Sequence, residues 1–147
     1  MSEEHVEVVR RWLAWLPDLR DVDPADDDAA IEQAFRDYLD EEFEIRIPSY
    51  YPEETPVFKG REGVARYAAW LRDSWSHWRA WAERFFDAGD HVVVFGRIVA
   101  KGRSSGVPIE FRNALVFTIR NGRMTSMQVY PDRADALKAA GLSEQAM

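Results

Sequence analysis

The chain has 147 residues, a net charge of −7, no cysteine, and 46% hydrophobic residues, with aromatics at 13% of the chain. That size and apolar share build one globular domain with a real core and exclude a disordered chain. The acidic balance argues against nucleic acid and anionic membrane as partners, and the missing thiols exclude disulfides, thiolate zinc sites and cysteine catalysis.

The start, Met1-Ser2-Glu3-Glu4, is acidic and no long apolar run follows it. It reads as neither a signal peptide nor a membrane anchor, so a cytoplasmic protein is the expectation. A first helix is expected over Glu3–Leu16, with Val6, Val9, Leu13 and Leu16 as its apolar stripe, Ser2 as cap and Pro17 as stop. Residues 18–28 read as an acidic loop. This stretch lacks the central glycine of a calcium loop and contains Pro24, so it is expected to hold no cation. A second helix follows over Ala29–Leu39, carrying Ile31, Ala34, Phe35 and Tyr38 on one face, with Asp28 as cap. Phe43–Ile47 alternates as a short strand, and the three prolines between Pro48 and Phe58 enforce a loop.

Helix three begins at Gly60-Arg61-Glu62-Gly63, a turn too short to cradle phosphate. Its stripe is Val64, Ala68, Leu71, Trp75 and Trp78. The region Trp78–Ala88 then turns into a first long strand. Three more follow at His91–Lys101, Val107–Arg120 and Arg123–Tyr130, joined by Gly102-Arg103-Ser104-Ser105-Gly106 and by Asn121-Gly122. Asn-Gly between alternating apolar runs is a hairpin signal. A last helix, Arg133–Ala140, ends at Gly141, and 143–147 reads as a flexible tail. The whole chain, 1–147, is expected to form a single α+β domain: a cone-shaped, highly curved antiparallel sheet wrapped around three N-terminal helices, with a short C-terminal helix.

Alternation sorts the long strands into two faces. One register holds Phe95, Arg97, Val99, Phe111, Asn113, Leu115, Phe117, Met127 and Val129, and its apolar character points it at the helices. The other holds Val92, Val94, Arg112, Ala114, Val116, Gln128 and Tyr130, a mixed face of the kind that joins two copies of a chain.

Several segments together resemble SnoaL-like proteins of the nuclear transport factor two-like superfamily. They are Phe58-Lys59-Gly60-Arg61-Glu62-Gly63-Val64, Asp87-Ala88-Gly89-Asp90-His91-Val92, Val116-Phe117-Thr118-Ile119-Arg120-Asn121-Gly122-Arg123 and Tyr130-Pro131-Asp132-Arg133-Ala134-Asp135-Ala136-Leu137. The resemblance runs over about Ala29 to Leu142. It implies a curved sheet, an apolar cavity between sheet and helices, and a homodimer through the outer sheet face. Relatives include polyketide cyclases, steroid isomerases, dehydratases and epoxide hydrolases, so fold alone does not choose a reaction. The steroid isomerases carry an aspartate base where this chain has Glu44-Ile45-Arg46-Ile47-Pro48. The epoxide hydrolases bridge two inward aspartates with an arginine. Arg97 could match that arginine, but Val99 and Val129 stand where aspartates would be needed.

Three residues are the catalytic candidates: Glu44, Arg97 and Asn113. An arginine on an apolar face must be compensated. Arg97 therefore either holds a ligand oxygen or pairs with Glu44, Glu83 or an acid of the second helix. Asn113 either donates to a substrate oxygen or satisfies a neighbouring group. Glu44 serves as general base if its face of the strand looks inward, and decorates the surface if Phe43, Ile45 and Ile47 look inward instead. The expected pocket wall adds Arg46, Tyr50, Trp75, Trp78, Phe95, Val99, Phe111, Leu115, Met127 and Val129. Trp70, Trp81 and Tyr51 extend the aromatic cluster, which suits a flat or polycyclic ligand. His5, His77 and His91 fall off the core face, and no metal-ligand spacing occurs, so neither metal nor cofactor is expected. The functional expectation is a pocket for a small apolar or polycyclic molecule. The alternative is a cofactor-free isomerase, cyclase or hydratase acting on a small carbonyl compound.

Overall fold

The structure, a computed structural model, describes residues 2–15, 24–47 and 57–142. Among these, the elements run α1 (Ser2–Trp15), α2 (Pro24–Asp37), β1 (Leu39–Arg46), β2 (Val57–Lys59), α3 (Gly60–Ser74), β3 (Trp75–Ala88), β4 (His91–Gly102), β5 (Pro108–Arg120), β6 (Arg123–Tyr130) and α4 (Arg133–Ala139). The strands make one sheet in the order β2-β1-β6-β5-β4-β3. Its pairs are antiparallel except β1 with β6, so the sheet is mixed, not antiparallel throughout.

Three boundaries differ from the sequence reading, each for a local reason. The second helix starts at Pro24, inside the stretch read as loop, and ends at Asp37, so Leu39 opens β1. A proline in the first turn followed by acids suits a helix N-terminus, where the proline loses no hydrogen bond and carboxylates face the positive end of the dipole. The third helix stops at Ser74, and its supposed stripe residues Trp75 and Trp78 lie in β3. Ser, Trp and His at 74–78 are poor helix formers, and tryptophan suits a strand. Val57–Lys59, read as loop, adds a short edge strand to β1. Tyr50, Tyr51, Leu16 and most of the acidic loop lie outside the described residues, as does 143–147.

The hairpins form as expected. Asn121 and Gly122 both adopt positive φ, 53° and 75°, as a two-residue primed turn requires. Gly60 turns the chain at φ 69°, and Gly63 lies against the Phe58 backbone where a Cβ would clash, which explains the paired glycines opening α3. Arg123, just past the hairpin, spends its guanidinium on the end of α2: Nη1 donates to the carbonyls of Phe35 and Leu39, both at 3.0 Å, and Nη2 donates to that of Arg36 at 2.9 Å. The bonds to Phe35 and Arg36 satisfy carbonyls that the helix leaves unpaired, and the one to Leu39 ties the helix end to the start of β1.

The sheet is apolar on both faces over part of its width. The inner face carries Phe43 and Ile45 of β1, Val92 and Val94 of β4, Phe117 and Ile119 of β5 and Met127 of β6, packed with Val9 of α1, Phe35 of α2 and Val64 of α3. On the outer face, Phe86, Val93, Phe95, Ala114 and Val116 lie under Ala136 and Leu137 of α4. Burying a leucine such as Leu137 contributes roughly 1.5–3 kcal/mol. Asp132 caps α4, accepting from the backbone N–H of Ala134 at 2.8 Å.

This layering corrects the face assignment of β4. The ladder pairs Val92 with Phe117, Val94 with Leu115 and Gly96 with Asn113 on the inner side. Phe95 pairs with Ala114, Arg97 with Arg112 and Val99 with Glu110 on the outer side. Phe95, Arg97 and Val99 therefore face away from α1–α3, and Val92 and Val94 face toward them. Because helices cover both faces here, Val92-Val93-Val94-Phe95 is a continuous apolar run with no alternation to set its phase.

Candidate functional site

On β5 the alternation is clean. Ile109, Phe111, Asn113, Leu115, Phe117 and Ile119 share the inner register. Exposure along it falls from 37% at Phe111 to 7% at Asn113 and 0% at Phe117. Phe111 thus stands at an open rim and Phe117 at the closed end. Leu115, between two buried neighbours, is only half-buried, and so is Val129, its partner on β6. Leu115 and Val129 thus keep accessible surface in the middle of a covered face.

Tyr67 of α3 faces the same interior. It packs into the same cluster as Leu115 and Val129, lies edge-on to Phe58 with ring centroids 5.6 Å apart, and stacks on the exposed Trp70 at 6.1 Å. Burial pushes its hydroxyl up to about 12. Sequence reasoning passed over Tyr67, though its place between Val64 and Leu71, at i+3 and i−4, put it on the core side of α3.

Asn113 is the polar feature of the inner face. The residue is 7% exposed, no side-chain hydrogen bond ties its carboxamide to the described residues, and the carboxamide is not sealed from solvent. It lies across Gly96, where a Cβ would stand 2.6 Å from Oδ1, so the absent side chain at 96 makes room for the carboxamide. Buried amides are nearly always paired, and one without a protein partner calls for a water or a ligand. Beyond Asn113 the rim is aromatic: Trp78 meets Phe111 edge-on at 6.0 Å and Trp75 at 5.6 Å. Along β4, β5 and β6 the inner register holds no charged side chain.

The expected pocket residues divide accordingly. Asn113, Phe111, Leu115, Met127, Val129, Trp75 and Trp78 gather at this interior or its rim. Glu44 and Arg46 do not: Phe43 and Ile45 take the inner side of β1, and the two charges pair with each other at 2.9 Å on the outer side. Nor does Arg97. Its Nε donates to Glu110 Oε1 at 2.6 Å, and its guanidinium covers the Trp81 ring at 5.2 Å. Arg97 is thus a surface ion pair, though with neither Glu44 nor Glu83 as the bonded acid. Phe95 lies on the outer face under the Arg133 guanidinium, and Val99 beside Glu110. Trp70 is exposed.

Outside, Glu83 is the extra residue where β3 slips register between Ala82 and Arg84. Arg133 reaches it from the start of α4: Nη2 donates to Glu83 Oε1 at 2.7 Å and to the Gly96 carbonyl at 3.1 Å, while Nε donates to the Asn113 carbonyl at 3.4 Å. That hydrogen bond from Arg133, aided by the positive charges of Arg112, Arg133 and Arg97, holds the Glu83 carboxyl below the usual carboxylate range. The backbone of the Gly96–Asn113 pair is therefore clamped from outside while its inner side faces the interior.

Other candidates carry less. His5 donates to the Gly89 carbonyl at 2.8 Å, His91 lies 3.1 Å from Thr118 Oγ1, and His77 bonds Ser76. None is at the interior. Among the described residues no group of three acids or histidines could hold a metal, and no helix is long and apolar enough to cross a membrane. Two open surface grooves, about 960 and 520 Å³, are lined largely by charged residues such as Asp40, Glu42 and Arg36 or Glu44, Lys59 and Arg120.

The model of the SnoaL-like domain matches residues 9–127. No curated protein matches. Solved structures share the architecture at low identity. An NTF2-like protein of unknown function from Burkholderia pseudomallei K96243 is 14% identical, with 92% of this chain and 95% of that one covered and a TM-score of 0.68. TerC, co-crystallised with polyporic acid, is 19% identical, over 94% and 98%, with a TM-score of 0.66. A candidate SnoaL-like polyketide cyclase from Jannaschia sp. CCS1 is 18% identical, over 87% and 85%, with a TM-score of 0.64. These likenesses establish the fold.

Proposed function

Because the chain belongs to the SnoaL-like domain family, we propose that it binds a small, largely apolar molecule between the inner face of a curved, cone-like sheet and α3. One observation carries this reading: Asn113, 7% exposed and with no side-chain hydrogen bond to the described residues, stands on an otherwise apolar wall beside the half-buried Leu115 and Val129. An apolar cavity with one convergent polar group is the common form of a small-molecule site. Polyporic acid co-crystallised with TerC supports it by analogy of fold.

The isomerase, cyclase or hydratase alternative loses its proton-moving groups. Glu44 and Arg97 face outward, and Tyr67, with its hydroxyl near 12, stays protonated and donates without abstracting. Binding without turnover is therefore the reading we adopt, in a cytoplasmic protein.

Leu115→Trp tests it. A large ring at 115 fills the proposed space, so the variant should keep the wild-type melting temperature and lose the blue-shifted fluorescence of bound Nile red, a neutral dye. In a packed core the same substitution would cost about 1–3 kcal/mol. A destabilised variant, or undiminished dye binding, contradicts the pocket.

A further inference from the structure

We infer that the pocket selects an uncharged, planar ligand that presents a hydrogen-bond donor and an acceptor side by side, as a lactam edge does, and that Asn113 is the residue that reads it. This rests on the pocket reading above and names its specificity.

A carboxamide offers an N–H donor and a C=O acceptor a fixed distance apart, and its best partner offers the same pair reversed. In most proteins a buried asparagine meets that need from its own chain. Here the Asn113 backbone carbonyl accepts from Arg133 on the outer side, and the side chain, 7% exposed, is left to the interior. Gly96 beneath it supplies neither donor nor acceptor on that side and leaves the carboxamide room to lie across the strand. Phe111 and Trp78 at 6.0 Å provide aromatic walls two positions toward the rim, which favour a flat ring.

Charge selection follows from the same register. An ionised ligand entering this face would lose its hydration, and the inner positions of β4, β5 and β6 hold no counter-ion. The arginines of the neighbouring strands, Arg97 and Arg112, lie on the far side of the sheet. A ligand with no polar edge would leave Asn113 unpaired, and a site built around a polar group rejects the analogue that lacks the partner.

Three bicyclic probes of one size separate these terms by calorimetry: isoquinolin-1(2H)-one, a neutral lactam; naphthalene, with no polar edge; and 2-naphthoate, an anion. Wild type should bind the lactam at least tenfold tighter than either of the others, about 1.4 kcal/mol. Asn113→Leu should lose that tenfold and keep its naphthalene affinity within threefold. Gly96→Ala, which pushes the carboxamide aside, should do the same. Equal wild-type affinity for lactam and naphthalene overturns the role of Asn113 and leaves the pocket standing. Naphthoate binding as tightly as the lactam overturns the charge selection and leaves the pocket standing. Failure of all three probes, with Nile red unbound as well, overturns the pocket itself. The wild-type comparison stands whether or not either variant folds.

Discussion

Asn113 sets a carboxamide with no side-chain partner among the described residues on an apolar wall. Such a group forfeits up to about 1–3 kcal/mol as its hydration is lost, and leucine has nearly its shape. Asn113→Leu should therefore raise the melting temperature by several degrees, since each kcal/mol moves a domain of this size by about 2–4 °C. A fall would show that Asn113 holds a structural bond. Tyr67 makes the matching statement from α3. Its hydroxyl is pushed from 10.0 up to about 12. A raised pKa means its contribution to stability is whole below pH 10 and is lost as pH rises toward 12. Burial, with Asp135 nearby, also raises Tyr130, so absorbance titration of the Tyr130→Phe variant should keep a late step at high pH that Tyr67→Phe removes; its persistence without Tyr67 would reassign it. At this scale the sequence spoke unevenly. Asn113 was legible because β5 alternates cleanly around it. Arg97 was misread because Val92–Phe95 is apolar on both faces, so parity had no anchor. Tyr67 was hidden by its proximity to an obvious stripe.

Elements are held by arginines that no periodicity reveals. Arg123 closes α2 from 88 residues beyond Phe35, and Arg133 ties α4 to the bulge at Glu83, 50 residues before it. The Glu83 carboxyl is depressed, so its stabilising contribution is complete above its ordinary 4.5 and fades as pH falls below that value. Glu83→Gln should flatten the acid side of a melting-temperature profile between pH 5 and 3 while leaving pH 7 nearly unchanged, because the pair is exposed and screened. An unchanged acid slope would place the titrating group elsewhere. Helix and strand identities were mostly readable from pattern. The α3–β3 boundary was not, because Trp75 and Trp78 fit helical spacing as well as they fit one side of a strand. Nor was the start of α2, because an acidic run reads alike as loop and as helix N-terminus.

The whole molecule has two covered faces and one open stretch of sheet. α4 shields Ala114 and Val116, which removes them from any contact between copies, and Val92 and Val94 are interior. Arg97 and Arg112, with Glu83 and Glu110 among them, remain on the outer face, with Gln128 exposed on β6. We propose that this face of mixed charge joins two copies of the chain. Sedimentation should show a dimer at micromolar concentration that weakens at high salt, and Arg112→Glu should dissociate it; a monomer throughout would leave the face free. The family and the sheet were legible in turns and strand lengths. The inner and outer faces of the sheet needed the phase of β4, which only three-dimensional layering supplies. The most direct measurement of the central claim is a crystal structure of the protein soaked with isoquinolin-1(2H)-one. The account predicts density for the lactam on the inner face, beside Leu115 and within hydrogen-bond distance of the Asn113 carboxamide; an interior filled by side chains, with Asn113 bonded to its own chain, would contradict it.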